Sequence, residues 1–187
     1  MKKKVVLLGD SIRYIGYGAR VSEFLSDDYE VFQPNENCRF AKYTLWGVIR
    51  DWAKEIEESD VVHWNNGLWD ACDDGEGVFT PVEEYVAHMV RVAELLKKKG
   101  KVVIFATTTP VTENSDTWTN ERIDLYNSRV VPVLQDMGIL INDLHGLVAE
   151  DIDSYIRKDD NVHLTETGIE VCAAQVARAI READRTE

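Results

Sequence analysis

Five short strand-like runs, each followed by a stretch of helical periodicity, restrict the possible folds of this chain more than any other feature. The runs are Val5-Val6-Leu7-Leu8, Glu30-Val31-Phe32, Val61-Val62-His63-Trp64-Asn65, Val102-Val103-Ile104-Phe105-Ala106 and Gly138-Ile139-Leu140-Ile141. The first shows no alternation of apolar and polar residues, so it reads as a strand buried on both faces, the pattern of a central parallel strand. Leu45, Val48, Ile49, Trp52 and Ile56 recur at helical spacing and predict one amphipathic helix over 43–58. Similar stripes predict helices over 119–137 and 166–183, with a shorter one over 19–25. Strands alternating with helices, without repeats or linkers, imply a parallel sheet covered on both sides. Right-handed crossovers then favour a flavodoxin-like three-layer α/β/α domain over 1–187, with strand order 2-1-3-4-5. That order makes strands 1 and 3 neighbours at the topological switch point, where ligands bind in open sheets of this type.

Local signals sharpen the element ends. Thr80-Pro81-Val82-Glu83 reads as a helix start, with threonine as cap and proline at the first helical position. Lys97-Lys98-Lys99-Gly100 suits a helix end, where cations meet the negative pole and glycine takes the left-handed turn. Residues 12–18 and 34–39 read as loops at the carboxyl ends of the first two strands. The acidic stretch 70–77 lacks the oxygen spacing of a calcium loop and reads as a solvated loop.

A net charge of −13 argues against nucleic acid as a partner and equally against an anionic membrane surface. The basic start Lys2-Lys3-Lys4 is followed by only four apolar residues before Gly9, too few for a secretory signal. No stretch approaches the ~20 apolar residues of a membrane span, so a cytoplasmic protein is expected. Cys38, Cys72 and Cys172 have neither disulfide-framework nor zinc-site spacing, and Cys172 falls on a core face.

Two motifs carry chemistry. Gly9-Asp10-Ser11 places a serine where the first strand leaves the sheet; by itself that serine is either a nucleophile or the polar start of a loop. Asp160-Asn161-Val162-His163 puts an acid and a histidine three apart on a turn ahead of the last helix. Such a pair can hydrogen-bond and leave the other imidazole nitrogen for a serine, the base-plus-orienter arrangement that a hydroxyl nucleophile needs. Of the other histidines, His63 lies in a strand, His88 in a helix and His145 at a helix start, and none has an acid at this spacing. Asp159 is the near competitor of Asp160.

Together the two motifs resemble the SGNH (GDSL) hydrolase family over nearly the whole chain. The resemblance implies Ser11 as nucleophile, His163 as general base and Asp160 as its orienter. Asp10 is expected to hold the turn through backbone hydrogen bonds. The family also implies an oxyanion hole made by the Ser11 N–H, a glycine after strand 2 and the asparagine of a Gly-x-Asn-Asp motif after strand 3. This chain departs from the last two. Asn37-Cys38-Arg39 stands in place of the glycine, so a backbone N–H of Asn37 or Cys38 is expected to serve. Trp69 stands in place of the asparagine, and the expected substitute donor is Asn65, with Asn66 second, if the chain stays extended through residue 67. The implied activity is a serine esterase acting on small acyl esters, such as acetyl groups on a carbohydrate, with no metal or organic cofactor. The alternatives are a thioesterase or lysophospholipase with the same triad, or a catalytically silent carbohydrate-binding module. The expected partner is a small-molecule ester.

Overall fold

Strands β1 (Lys3–Leu8), β2 (Tyr29–Phe32), β3 (Val61–Trp64), β4 (Val102–Ala106) and β5 (Leu140–Asn142) form one sheet in a computed structural model that describes residues 2–185. Every pairing is parallel and the order is β2-β1-β3-β4-β5, as the alternation of elements predicts. Eight helices accompany the sheet among the described residues: α1 (Gly18–Leu25), α2 (Ala41–Ile49), α3 (Ala53–Glu58), α4 (Val82–Lys98), α5 (Asn120–Asp136), α6 (Leu144–Ala149), α7 (Ile152–Tyr155) and α8 (Glu166–Asp184).

The absence of alternation in β1 has a direct cause. Val5 and Leu7 pack into a core with Val21, Leu25, Cys172, Val176 and Ile180, from α1 and α8. Val6 and Leu8 point the other way, into a core with Val48, Ile56, Tyr85, Met89 and Leu134, from α2, α3, α4 and α5. Because successive side chains alternate faces, the strand is apolar throughout only when both faces are covered. Each such side chain contributes about 1.5–3 kcal/mol by leaving water.

Three local expectations are corrected. The helix expected over 43–58 is two helices, α2 and α3. The Trp52 N–H donates to the Gly47 carbonyl (2.8 Å) and the indole lies against Gly47, where an added Cβ would sit 2.2 Å from the ring. The aromatic that extended the apolar stripe is thus the residue that folds back and breaks the helix. Residues 12–17, expected as a loop, form a helical turn (Ile12–Tyr17) that runs into α1, with Gly16 bearing the one non-helical backbone conformation. Its first bonds come from the Asp10 carbonyl, which accepts from the Arg13 (3.2 Å) and Tyr14 (2.9 Å) N–H groups. Thr80 is not the cap of α4; Pro81 occupies that position and makes no side-chain cap bond. By contrast, Gly100 does take the left-handed conformation (φ +70°) after α4. Among the described residues, no helix is long and apolar enough to cross a membrane.

Candidate active site

Ser11 follows β1 directly, in right-handed helical conformation (φ −63°, ψ −27°). Asp10 is fully buried beneath it and caps the turn, Oδ1 accepting from the Ile12 N–H at 3.0 Å, which is the turn-holding part expected of it. Burial pushes the Asp10 carboxyl up, against the pull of the Asn65 side chain, the Ile12 N–H and the Arg13 charge.

Arg13 is buried completely, in a part that no motif or spacing marks. Its guanidinium donates to the carbonyls of Pro34 (2.9 Å), Glu36 (2.6 Å) and Gly9 (3.1 Å), and reaches Cys38 Sγ at 3.5 Å. One side chain therefore ties the loop after β2 to the end of β1. The Cys38 N–H completes the tie by donating to the Gly9 carbonyl (3.0 Å), which occupies the amide expected as an oxyanion donor.

His163 comes from the opposite direction, on the turn between α7 and α8. Its Nδ1 lies 3.0 Å from Asp160 Oδ2, while Asp160 Oδ1 accepts from the backbone N–H groups of Val162 (3.0 Å) and His163 (2.9 Å). Partial burial pushes the Asp160 carboxyl up, but those two N–H groups and the imidazole outweigh it and hold it below its ordinary value. Asp159 is engaged elsewhere, bound through Arg157 Nε at 2.9 Å. The turn carries left-handed Asn161 (φ +65°), whose carbonyl accepts from the Thr112 N–H (3.0 Å). The other histidines stand apart from this turn. His63 is buried in β3 beside Asn142 (3.1 Å), and desolvation lowers it to about 3, so it stays neutral. His145 Nε2 lies 3.1 Å from Asp124.

Ser11 and His163 line one cleft of about 400 Å³, together with Asn37, Leu68, Trp69, Cys72, Phe79, Trp118 and Val162. Its walls are pinned by the Trp118 indole N–H, which donates to the Leu68 carbonyl (2.6 Å), and by Arg122, which donates to the Ala71 carbonyl (3.0 Å). Trp118, Phe79 and Cys72 were not singled out from the sequence as wall residues. A tryptophan directly after the polar stretch Asn114-Ser115-Asp116-Thr117 was the available signal, since no helical stripe accounts for it.

The side chains of Asn65 and Asn66 are not among the residues lining the cleft. Asn65 Oδ1 accepts from the buried Tyr17 hydroxyl (2.9 Å) and presses against Gly9, where an added Cβ would lie 2.0 Å away. Asn66 Nδ2 donates to the Arg39 carbonyl (2.8 Å). The extended backbone assumed for residues 65–69 ends at Gly67 (φ +144°), where the chain enters a turn closed by the Ala71 N–H on the Gly67 carbonyl (2.8 Å). Asp70, at the end of that turn, accepts from the Ala41 N–H at the start of α2 (3.0 Å). Burial pushes its carboxyl up to about 7. Among the described residues, no group of three or more His, Cys, Asp or Glu could hold a metal ion.

No family model matches the chain. A GDSL esterase/lipase from Oryza sativa subsp. japonica is 27% identical over 128 residues, 61% of this chain and 49% of that protein, so the chain spans about half the length of the curated relative it matches. Among solved structures, an acetyl xylan esterase superposes with a TM-score of 0.80 at 21% identity, over 95% of this chain and 99% of that one. A lipase/acylhydrolase from Enterococcus faecalis superposes with a TM-score of 0.81 at 19% identity, covering 96% of each chain. The chain has the SGNH (GDSL) hydrolase fold. The resemblance to SGNH hydrolases carried by Gly9-Asp10-Ser11 and Asp160-x-x-His163 is matched by these similarities in sequence and in structure. In SGNH terms this chain keeps the two motif ends and departs at the two loops between them, where Asn37 and Trp69 now line the cleft.

Proposed function

We propose that this chain is a serine esterase that hydrolyses small acyl esters through an acyl-enzyme. Ser11 Oγ attacks the ester carbonyl and its proton passes to Nε2 of His163, while Asp160 holds Nδ1 and steadies the imidazolium. The carbonyl electron pair moves onto oxygen as the Oγ–C bond forms. Collapse restores the carbonyl and breaks the bond to the alcohol, which leaves with the proton from His163. Water then repeats the sequence on the acyl-enzyme and returns Ser11. The Ser11 N–H and a donor from the loop after β2 meet the oxyanion.

The observation that carries this reading is the presence of Ser11 and His163 on one cleft, with His163 Nδ1 3.0 Å from Asp160. The faces of Trp69, Phe79 and Trp118 suit a sugar ring beside a small acyl group, and structural neighbours that are acetyl xylan esterases support that choice. The apolar side chains Leu68 and Val162 on the same walls favour a second reading, a longer acyl chain on a thioester or lysophospholipid. A panel of p-nitrophenyl esters from acetyl to octanoyl, with acetylated xylo-oligosaccharide, separates the readings. The highest kcat/KM is expected on the acetyl substrates. A maximum at octanoyl would select the second reading, and binding of the sugar without hydrolysis of any ester would make the chain a carbohydrate-binding module.

A further inference from the structure

Resting on the esterase reading, the geometry points to the Asn37 side-chain amide as the donor that replaces the family asparagine in the oxyanion hole. We infer this from what the other amides are doing. The Asn65 and Asn66 side chains are absent from the cleft lining: Asn65 accepts from the Tyr17 hydroxyl through Oδ1 and turns toward buried Asp10, and Asn66 Nδ2 donates to the Arg39 carbonyl. The Cys38 N–H is taken by the Gly9 carbonyl. Asn37 is the one asparagine or glutamine among the described residues lining the cleft with Ser11 and His163.

The orientation of its carboxamide is fixed by chemistry. Asn37 Oδ1 accepts from the Arg39 N–H at 2.7 Å. A backbone N–H requires an acceptor, so oxygen must occupy that position and Nδ2 the other. Both Nδ2 hydrogens are then available, and no described protein atom takes either. This turn costs the chain a left-handed Arg39 (φ +52°), an uncommon conformation for a side chain that large and of the kind found where function constrains the backbone.

The residues on either side of Asn37 are anchored to the nucleophile turn. Glu36 gives its carbonyl to Arg13, two residues after Ser11, and Cys38 gives its N–H to Gly9, two residues before it. Arg13 thus acts as a positioning residue, a buried cation that clamps the donor loop to the serine turn. An oxyanion donor stabilises the transition state most when it is held in place before charge develops, and this loop is so held. The Trp69 indole also lines the cleft and is the other side-chain N–H that must be tested.

The test is steady-state kinetics on p-nitrophenyl acetate with a boronic acid transition-state analogue as inhibitor. Asn37→Ala is expected to lower kcat by roughly 10²–10³-fold, with KM little changed and the boronate Ki raised by a similar factor. Asn37→Asp keeps the acceptor for the Arg39 N–H but has no donor. It is expected to lose at least as much with an unchanged melting temperature, which separates a catalytic amide from one that only shapes the loop. Trp69→Phe removes the indole N–H together with part of the ring face, so it is expected to raise KM while the boronate Ki rises far less than in Asn37→Ala. Wild-type kcat in Asn37→Ala, or the large loss in Trp69→Phe instead, would overturn the assignment. So would a fall of kcat in Asn37→Ala that Asn37→Asp restores. An inactive wild type would refute the esterase reading itself, which these variants leave untouched.

Discussion

Ser11 stands on a turn tied down from across the chain, whereas the imidazole of His163 is oriented by its own turn. Around Ser11 the decisive bonds are long-range and buried: Arg13 reaches Pro34 and Glu36, Cys38 reaches Gly9, and Tyr17 reaches Asn65. Around His163 the bonds that orient the imidazole are local and partly exposed, while long-range ties from Thr112 reach Asn161. Asp160 bonds residues two and three positions ahead, and the side chains of the Asp–His pair keep 32% and 28% of their surface. The difference teaches that two residues lining one cleft, the proposed nucleophile and base, can be positioned by opposite strategies. The serine side depends on a buried polar network that fails as a whole. The histidine side depends on a short turn and on its packing against the 111–115 loop.

The largest effect should come from the nucleophile. Ser11→Ala is expected to lower kcat on the order of 10⁶-fold while the circular dichroism spectrum and melting temperature stay those of wild type. On the other turn, Asp160→Asn should cost on the order of 10⁴-fold in kcat, because the orienting acceptor becomes an amide. Asp159→Asn should leave kcat within a few-fold, since that carboxylate pairs with Arg157. Equal losses in the two variants would show that Asp160 is not the one carboxylate that His163 depends on.

Arginine provides the next contrast. Arg13→Met leaves the Pro34 and Glu36 carbonyls without the Arg13 donor, each at about 1–3 kcal/mol when buried, and removes one of the two donors to the Gly9 carbonyl. Urea denaturation should therefore show a loss of roughly 3–5 kcal/mol. Arg157→Met, on the exposed side of the histidine turn, should leave the midpoint unchanged. Similar midpoints for both would remove the distinction between the turns.

The same contrast explains what was legible in the sequence. The Asp160-x-x-His163 turn is local, so its spacing alone was enough to choose Asp160 over Asp159. The two-faced burial of β1 and the strand order were legible because its apolar run lacks alternation and because strand runs alternate with helical stripes along the chain. The break in the 43–58 helix was not, because it depends on Trp52 reaching back onto Gly47. Nor was the part played by Arg13, whose partners lie 4 to 25 residues away and are mostly backbone carbonyls, identical in every residue type. The extended face assumed for residues 65–69 missed the turn at Gly67, a glycine whose positive φ leaves no periodic trace.

The smallest effect concerns pH. Asp70 is raised by burial from its ordinary range to about 7, so the folded chain holds a proton there that the unfolded chain releases. Its contribution to stability is complete below about pH 4 and is lost as pH rises through 7. Asp70→Asn stays neutral and can still accept the Ala41 N–H. Its melting temperature relative to wild type should therefore rise by a few degrees between pH 5 and pH 8, and a constant difference would count against the buried, protonated carboxyl.

The catalytic pairing itself is tested most directly by covalent capture. Purified protein is mixed with a fluorophosphonate and its intact mass measured, followed by peptide mapping of the adduct. The expected result is one adduct per chain, located on Ser11, which disappears in Ser11→Ala and forms far more slowly in the Asp160→Asn variant. Ester turnover with no adduct, or with the adduct on another residue, would contradict the assignment of Ser11 as the nucleophile served by His163.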